Sequence, residues 1–186
     1  VSVVNTGKAT ISHSSFTSHT RENINGGAVE FSFPAEATNS VVTVENTTFT
    51  DLEVTGNGCG GGAIFASMGE GIAWTANGST FHTCIAPIAV GSNGRGGAIY
   101  FLLEKANCNF VISNPSFGRT EETENNAMWG KDIFIYSPNL VQSVKQSRFP
   151  FYEEPEDDEI EDLTLFVGLS GENNIETETV DLGSLL

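Results

Sequence analysis

The stretch Gly58–Ala66, which reads GCGGGAIFA, places three consecutive glycines directly before an apolar run of strand-forming residues. Its central Gly-Gly-Ala, followed by Ile or Val, recurs along the chain. The copies begin at Gly26, Gly61 and Gly96, 35 residues apart, and a degenerate copy begins at Gly130 after another 34 residues. A fixed period of this length indicates a repeat architecture, in which each supersecondary unit stacks on the next.

A second series interleaves with the paired glycines Gly26, Gly27, Gly61, Gly62, Gly96 and Gly97. It consists of a phenylalanine that follows Ser or Thr, at Phe16, Phe49, Phe81 and Phe117. The residues seven and five positions before each phenylalanine are all apolar: Ala9 and Ile11, Val42 and Val44, Trp74 and Ala76, Phe110 and Ile112. One unit therefore contains an apolar-x-apolar strand, a turn, a phenylalanine strand, a variable loop and a third strand that starts at the glycine pair.

Three short strands per repeat predict an all-β fold, a single-stranded parallel β-helix (solenoid) of about four coils. Strands of adjacent coils lie about 4.8 Å apart, so each residue contacts its own equivalent above and below, and the phenylalanines form a ladder. The glycines suit a corner that needs positive φ or a close approach of coils. A phosphate-binding glycine loop is disfavoured, because neither GxGxxG nor GxxxxGK[ST] occurs.

Composition agrees with strands and turns. Apolar residues make up 39% of the chain, it contains 20 glycines, and no run is typical of a well-capped amphipathic helix. The longest apolar run, residues 98–103, is far shorter than a membrane-spanning segment, so we expect no membrane insertion. The first residues do not form a signal peptide, which places any targeting segment outside this sequence.

The net charge of −16 is concentrated near one end. Residues 1–150 contain 12 acidic and 8 basic side chains, whereas residues 151–186 contain 12 acidic and none that are basic. An acidic chain without a basic stripe disfavours nucleic acid as a partner. The repeat fades after Tyr136, so we predict β-helix repeats over 1–140 and an acidic linker or connector over 141–186.

Two interpretations of the acidic segment stay open. The stretch Glu153–Asp162 holds eight carboxylates in ten residues, which is typical of a solvated linker but also suits a cation-binding or partner-binding strip. No EF-hand pattern is present. Just beyond it, LTLFVGL over Leu163–Leu169 predicts a strand that adds to an exposed edge, of this chain or of the next.

The cysteines give no metal-binding pattern. Cys59, Cys84 and Cys108 fall at different phases of the repeat and lack CxxC spacing, so we predict no zinc site and no cofactor. Either one disulfide with a free thiol, or three buried cysteines in turns, fits the sequence.

Many β-helices cleave polysaccharides, so a carbohydrate-active enzyme is the alternative function. It needs two positioned carboxylates, or a base with a cation. The basic side chains that suit such a groove are Arg95, Arg119 and Lys131, and the histidines are His13, His19 and His82. Their spacing forms no catalytic arrangement, and we predict no catalytic residue.

The turn before each phenylalanine strand carries polar residues. Asn46 and Asn114 stand three positions before a phenylalanine and predict a turn whose side chain caps the backbone. Asn46 and Asn77 also begin N-x-[ST] sequons, at the corresponding turn of consecutive coils. Both are candidate acceptors of N-linked glycans if the chain is secreted.

The alternation of GGA[IV] with a phenylalanine motif resembles the repeats of the chlamydial polymorphic outer-membrane proteins, and those of similar surface proteins of protists. The resemblance covers about residues 9–136. Where those repeats have Phe-x-x-Asn, this chain has His19, Leu52, Cys84 and Thr120 at the fourth position. The resemblance implies a right-handed β-helix and a secreted or surface-exposed region associated with adhesion.

We therefore expect an extracellular or cell-surface module with a structural or adhesive role. The strand edges at the end of a coil pair with other chains unless they are capped. We therefore predict that this chain belongs to a longer solenoid or associates with neighbouring domains or other copies. Association of copies end to end would form a filament. A glycan or cell-surface ligand would contact the variable loops, predicted at 17–25, 50–60, 82–95 and 118–129.

Overall fold

The computed structural model describes residues 1–4, 7–34, 39–89, 91–148, 166–170 and 180–181. Across these residues the chain forms an all-β parallel solenoid of about four coils, as predicted. The strands, numbered along the chain, are β1 (Ser2–Val4), β2 (Lys8–Ser12), β3 (Ser15–Glu22), β4 (Val29–Ser32), β5 (Ser40–Glu45), β6 (Thr48–Thr55), β7 (Ile64–Met68), β8 (Ile72–Asn77), β9 (Thr80–Ile85), β10 (Ile99–Leu103), β11 (Phe110–Ser113), β12 (Ser116–Phe117), β13 (Ile133–Ser137), β14 (Phe166–Ser170) and β15 (Val180–Asp181).

Each coil contributes one strand to each of three sheets. The first sheet has the order β1-β4-β7-β10-β13-β14-β15, the second β2-β5-β8-β11 and the third β3-β6-β9-β12. Pairing is parallel throughout, except that β15 is antiparallel to β14. As far as β13, every third strand therefore returns to the same sheet one coil further along, as the sequence period requires.

The phenylalanine ladder is present. The ring centroids of Phe16, Phe49, Phe81 and Phe117 are separated by 5.3, 5.0 and 5.4 Å in sequence. The first two pairs are within 5° of parallel. Stacking of identical rings follows from the register, because the strands pair these residues directly with one another.

The two glycines of each pair have different structural roles. Gly61 has φ +70°, which favours glycine, whereas Gly62 has no positive φ. A Cβ atom at Gly62 would overlap the carbonyl oxygen of Gly97 in the next coil and the backbone of Ile85. The first glycine therefore turns the chain, and the second lets two coils approach.

The strands of the third sheet extend into segments that were predicted as loops. Loops were predicted from residues 17, 50 and 82, yet β3, β6 and β9 continue to Glu22, Thr55 and Ile85, which corrects those boundaries. Two residues after each phenylalanine, Ser18, Asp51 and Thr83 adopt φ between 52° and 53°. This left-handed residue bends the strand without ending it.

The turn before the phenylalanine strand is also left-handed. Asn46 has φ 45°, Asn114 has φ 48°, and His13 and Gly78 occupy the same position with φ 48° and 60°. The turn role predicted for the asparagines is thereby confirmed. Instead of the predicted backbone cap, Asn114 Nδ2 donates to Asn77 Oδ1 of the preceding coil at 3.3 Å.

A short helix, α1 (Leu140–Gln146), corrects the expectation that no capped helix occurs. The side chain of Asn139 caps it by accepting from the Gln142 N–H at 3.1 Å. Leu140 and Val144, four residues apart, are buried in the main core. Seven residues give too few turns for the period to stand out in the sequence.

Solenoid pairing continues past the point where the sequence repeat fades. Arg148 forms a parallel bridge with Val111, and β14 pairs with β13 in the register Ile133↔Phe166. The strand predicted at the edge of this chain within 163–169 is thus confirmed from Phe166 onward. The carboxylate stretch 153–162 lies outside the described residues.

Replacing Gly97 with alanine tests the close approach of coils. A Cβ there overlaps the Lys131 carbonyl oxygen and the Asn126 backbone, so we expect Gly97→Ala to lower the free energy of unfolding by about 2 kcal/mol or more. Gly7→Ala is the matched control, because no atom lies within 4 Å of its Cβ position, and it should change stability by less than about 0.5 kcal/mol. Denaturant unfolding followed by circular dichroism measures both, and equal effects would contradict this account.

Candidate functional site

The first coil leaves its side of the core uncovered. Its inward-facing apolar residues, Val3, Ala9, Ile11 and Phe16, pack against the main core but stay half-buried. Their register partners in the second coil, Phe31, Val42, Val44 and Phe49, are all 0% exposed. The first coil therefore covers the second, and no described residue covers the first.

The opposite side of the described solenoid is different. Ile133 and Ile135 of β13 are 0% exposed, and Leu140 and Val144 of α1 are 2% and 1% exposed. We call the uncovered face of the first coil the open coil end. It consists of the inward-facing residues of β1, β2 and β3 together with the backbone edges of these strands.

The backbone edge of β2 is directed to the open side. The His13 N–H donates to the Glu45 oxygen, and the Gly7 oxygen accepts from the Val41 N–H, so odd-numbered residues of this segment bond to β5. Backbone groups of parallel strands alternate in direction, which turns those of Lys8 and Thr10 away from β5. Such a row of groups can accept an added strand.

A cavity of about 550 Å³ opens at this end between β3 and the start of β4. The residues that line it include Phe16, Thr17, His19, Arg21, Ala28 and Leu52. Its floor belongs to the second coil and is apolar, since Leu52 is 1% and Ala28 6% exposed.

Two polar side chains stand where later coils have apolar ones. His19 pairs in register with the buried Leu52, and Arg21 with the buried Val54. His19 is exposed, while Arg21 is half-buried and its Nη1 donates to the Gly26 oxygen at 2.7 Å. The signal for an inward position at His19 is its place three residues after Phe16, because Leu52 and Cys84 hold the same place in the next two coils.

The open coil end carries side chains of both signs. Its strands β1, β2 and β3 contribute Lys8, Arg21 and Glu22. The strands of the second coil that pair with them add only acidic side chains, at Glu30, Glu45, Asp51 and Glu53.

The basic residues considered for an enzymatic groove have separate partners. Arg119 Nη1 lies 2.6 Å from Asp132 Oδ2, whereas Arg95 lies over the Phe134 ring at 5.6 Å and Lys131 Nζ is 3.5 Å from a Glu124 oxygen. Asp132 is 0% exposed. The carboxylate that meets Arg119 is thus in the protein interior and not in a substrate groove.

The network around Asp132 completes the third sheet beyond β12. Asn125 Oδ1 accepts from the Cys84 N–H at 2.9 Å, and its Nδ2 donates to the Phe81 oxygen at 3.0 Å and to Asp132 Oδ1 at 2.8 Å. A side-chain amide here takes the hydrogen bonds that a backbone strand would make. The network therefore has a structural role, and no repeat signal in the sequence marks it.

The histidines are not gathered into a site. His13 Nε2 lies 3.5 Å from Asn46 Nδ2, and His82 Nε2 lies 3.4 Å from Ser116 Oγ. Within the described ranges, no group of three His, Cys, Asp or Glu side chains is placed to hold a metal ion.

The three cysteines are free and buried, so the disulfide alternative is wrong. Burial raises the pKa of each thiol, and for Cys84 the nearby Asp132 carboxylate raises it further. Cys84 lies within β9 rather than in a turn, and its Sγ donates to the Phe49 oxygen.

The sequon asparagines lie at one edge of the solenoid. Asn46 follows β5, Asn77 ends β8, and both side chains are exposed. They are offset by one position in register, because Asn77 pairs with Glu45. Glycosylation at Asn46 and Asn77 stays a prediction.

Comparison of the chain with protein-family models, curated proteins and solved structures finds no match. The part of the chlamydial resemblance that the structure supports is the parallel solenoid of about four turns. Along the described part of the chain, no helix has the length and apolar character that crossing a bilayer requires.

Thiol labelling tests the burial of the cysteines. The thiolate is the reactive form, and burial raises the pKa of all three thiols, so we expect no labelling of the native protein within minutes at pH 8. Unfolding in denaturant without reductant should release three reactive thiols. Rapid labelling of one thiol in the native protein, or fewer than three after unfolding, would contradict this arrangement.

Substitution of Asp132 tests the buried network. The three earlier copies of the glycine motif have alanine at the position of Asp132. Even so, Asp132→Ala leaves donors of Arg119 and Asn125 without the carboxylate that accepts from them. We therefore expect the unfolding free energy to fall by about 2–3 kcal/mol. Glu124→Ala removes a more exposed ion pair and should cost less than about 1 kcal/mol. If Asp132→Ala stabilises the fold as a consensus residue, the network has no such role.

Proposed function

We propose that this chain is a structural or adhesive module of an extracellular surface protein, built as a right-handed β-helix and associating through its open coil end. The observation that carries the proposal is the open coil end itself. It combines half-buried core residues with free strand edges, which in a stable assembly are covered.

The repetitive interior supports a mechanical role. Ring stacking along the phenylalanine ladder and in-register pairing within three sheets give a continuous core. Each inner coil contacts the coil on either side of it, so the stack resists bending as a unit. A rigid body of this kind suits a spacer that presents loops and ends to partners.

The surface chemistry supports an extracellular location. The resemblance in sequence is to repeats of secreted and surface proteins, and two exposed sequons lie at one edge, at Asn46 and Asn77. An adhesive role would use the loops on the third-sheet side or the coil end for a glycan or cell-surface ligand. These roles share the same scaffold, and the open coil end is the surface at which another copy, or a neighbouring domain of a longer chain, continues the stack.

Sedimentation tests the association. Thr10 directs its backbone to the open side, so Thr10→Pro removes a donor from the free edge without breaking the pairing of β2 with β5. We expect the wild-type chain to sediment as concentration-dependent oligomers, and Thr10→Pro to weaken association at least about tenfold because an edge hydrogen bond is lost.

Thr10→Val is the matched control, since it keeps the N–H and should associate like the wild type. Electron microscopy of the same samples distinguishes filaments from closed oligomers. A wild-type chain that stays monomeric at all concentrations would overturn the proposed assembly.

A further inference from the structure

We propose that Asn93 is a site of spontaneous covalent modification, at which the side-chain amide is converted to a carboxylate through a cyclic imide formed with the backbone of Gly94. The chain contains four Asn-Gly pairs, which begin at Asn25, Asn57, Asn77 and Asn93. Hydrogen bonds between coils oppose the reaction at the first three pairs but not at the fourth. The reaction needs no partner, so it is independent of the association proposed above.

The reaction joins an asparagine side chain to the backbone nitrogen that follows it. This nitrogen loses its proton to hydroxide and attacks Cγ of the asparagine. A bond from the nitrogen to Cγ forms, the bond from Cγ to Nδ2 breaks, and the amide takes a proton from water and leaves as ammonia. Water then opens the cyclic imide at either of its carbonyl groups, which gives aspartate or isoaspartate. Glycine favours the attack, because it has no Cβ atom to obstruct the approach.

The first three pairs hold the attacking nitrogen in a hydrogen bond to the next coil. The glycine N–H donates to a backbone oxygen in each case: Gly26 to Gly60 at 3.0 Å, Gly58 to Ser92 at 2.7 Å and Gly78 to Ser113 at 3.0 Å. Before such a nitrogen can reach the asparagine side chain, it has to give up this bond. Attack at these pairs therefore requires a local opening of the backbone.

Two of these three asparagine side chains are held as well. Asn25 Oδ1 accepts from the Gly60 N–H at 2.8 Å, and Asn77 Oδ1 accepts from Asn114 Nδ2 at 3.3 Å. Asn57 is exposed, and no described residue bonds to its side chain. The pair that begins at Asn57 is therefore the closest comparison for the fourth pair, since only the backbone bond of its glycine opposes the reaction.

The fourth pair lacks both restraints. Asn93 is exposed, and within the described part of the chain nothing bonds to its side chain or accepts from the Gly94 N–H. Gly94 is buried, and a buried N–H without an acceptor is rare, so this nitrogen gives up no protein hydrogen bond when it attacks. A Cβ atom at Gly94 would overlap the Pro87 oxygen. The fold thus requires glycine at the position where glycine favours the reaction.

The surroundings of Asn93 give the modification a structural consequence. Its two neighbours bond to different coils: the Ser92 oxygen accepts from the Gly58 N–H at 2.7 Å, and the Gly94 oxygen accepts from the Trp129 N–H at 3.0 Å. Aspartate at this position leaves the backbone unchanged and adds a negative charge. Isoaspartate inserts one further carbon into the backbone between these two bonds, so we expect it to loosen the loop from the neighbouring coils.

The experiment follows all four pairs in one sample. The full chain is incubated at mildly alkaline pH, once folded and once unfolded in guanidinium chloride, and is then digested. Chromatography with mass spectrometry quantifies the aspartate and isoaspartate forms of each peptide, and the unfolded sample supplies the intrinsic rate of each pair. We expect the ratio of folded to unfolded rate to be about tenfold higher at Asn93 than at Asn57, because a hydrogen bond and the backbone around it restrain Gly58.

Two matched variants check the assignment in the intact protein. Isoelectric focusing of the folded wild type should show an acidic form that accumulates with time. Asn93→Gln should abolish this form, because glutamine closes the corresponding ring far more slowly, whereas Asn57→Gln at an equally exposed position should leave it unchanged. Equal rate ratios at Asn93 and Asn57, an acidic form that persists in Asn93→Gln, or an intact Asn93 in the folded chain after the unfolded chain has reacted would overturn the proposal.

Discussion

The structure depends on how closely the backbones of neighbouring coils approach each other at the second glycine of each pair. At Gly27, Gly62 and Gly97 the space for a Cβ atom is already filled by a carbonyl group of the next coil. A side chain there would overlap that carbonyl group and push the two coils apart at this junction. The degenerate copy has Lys131 at this place, so the constraint applies to three successive junctions and ends at the fourth.

Because the coils approach so closely, each residue meets its own equivalent, and the core is assembled as rows of like side chains. The phenylalanine row is the plainest case, with centroid separations of 5.0 to 5.4 Å. The same register forces bends to recur at the same place, and these bends use left-handed residues that are not glycine, such as Asp51 and Asn46. Asn and Asp tolerate this conformation better than most residues, which explains their place in the turns.

Features that repeat could be predicted from the sequence, and features that occur once could not. The strand order, the phenylalanine row and the role of the glycine pairs follow from the period. Corresponding positions of all copies have the same surroundings, so each copy repeats the same residue pattern. The helix α1 and the Asp132 network lie where the repeat degenerates, so no second copy confirms them. The polar open end lies between these cases: the positions of His19 and Arg21 are visible in the sequence, but only the register with Leu52 and Val54 shows that they face inward.

That register bears on specificity at the open coil end. Covering the half-buried apolar residues of the first coil is favourable, at about 25 cal/mol for each Å² of apolar surface removed from water. This hydrophobic free energy does not discriminate between one apolar strand and another. The Arg21 guanidinium opposes it, because removing a charge from water without a counter-charge costs several kcal/mol. The two effects together favour a covering surface that leaves the Arg21 guanidinium in water or gives it an acceptor. A solenoid with apolar residues throughout its first coil would lack this discrimination, since only the polar inward positions distinguish its end from any other coil.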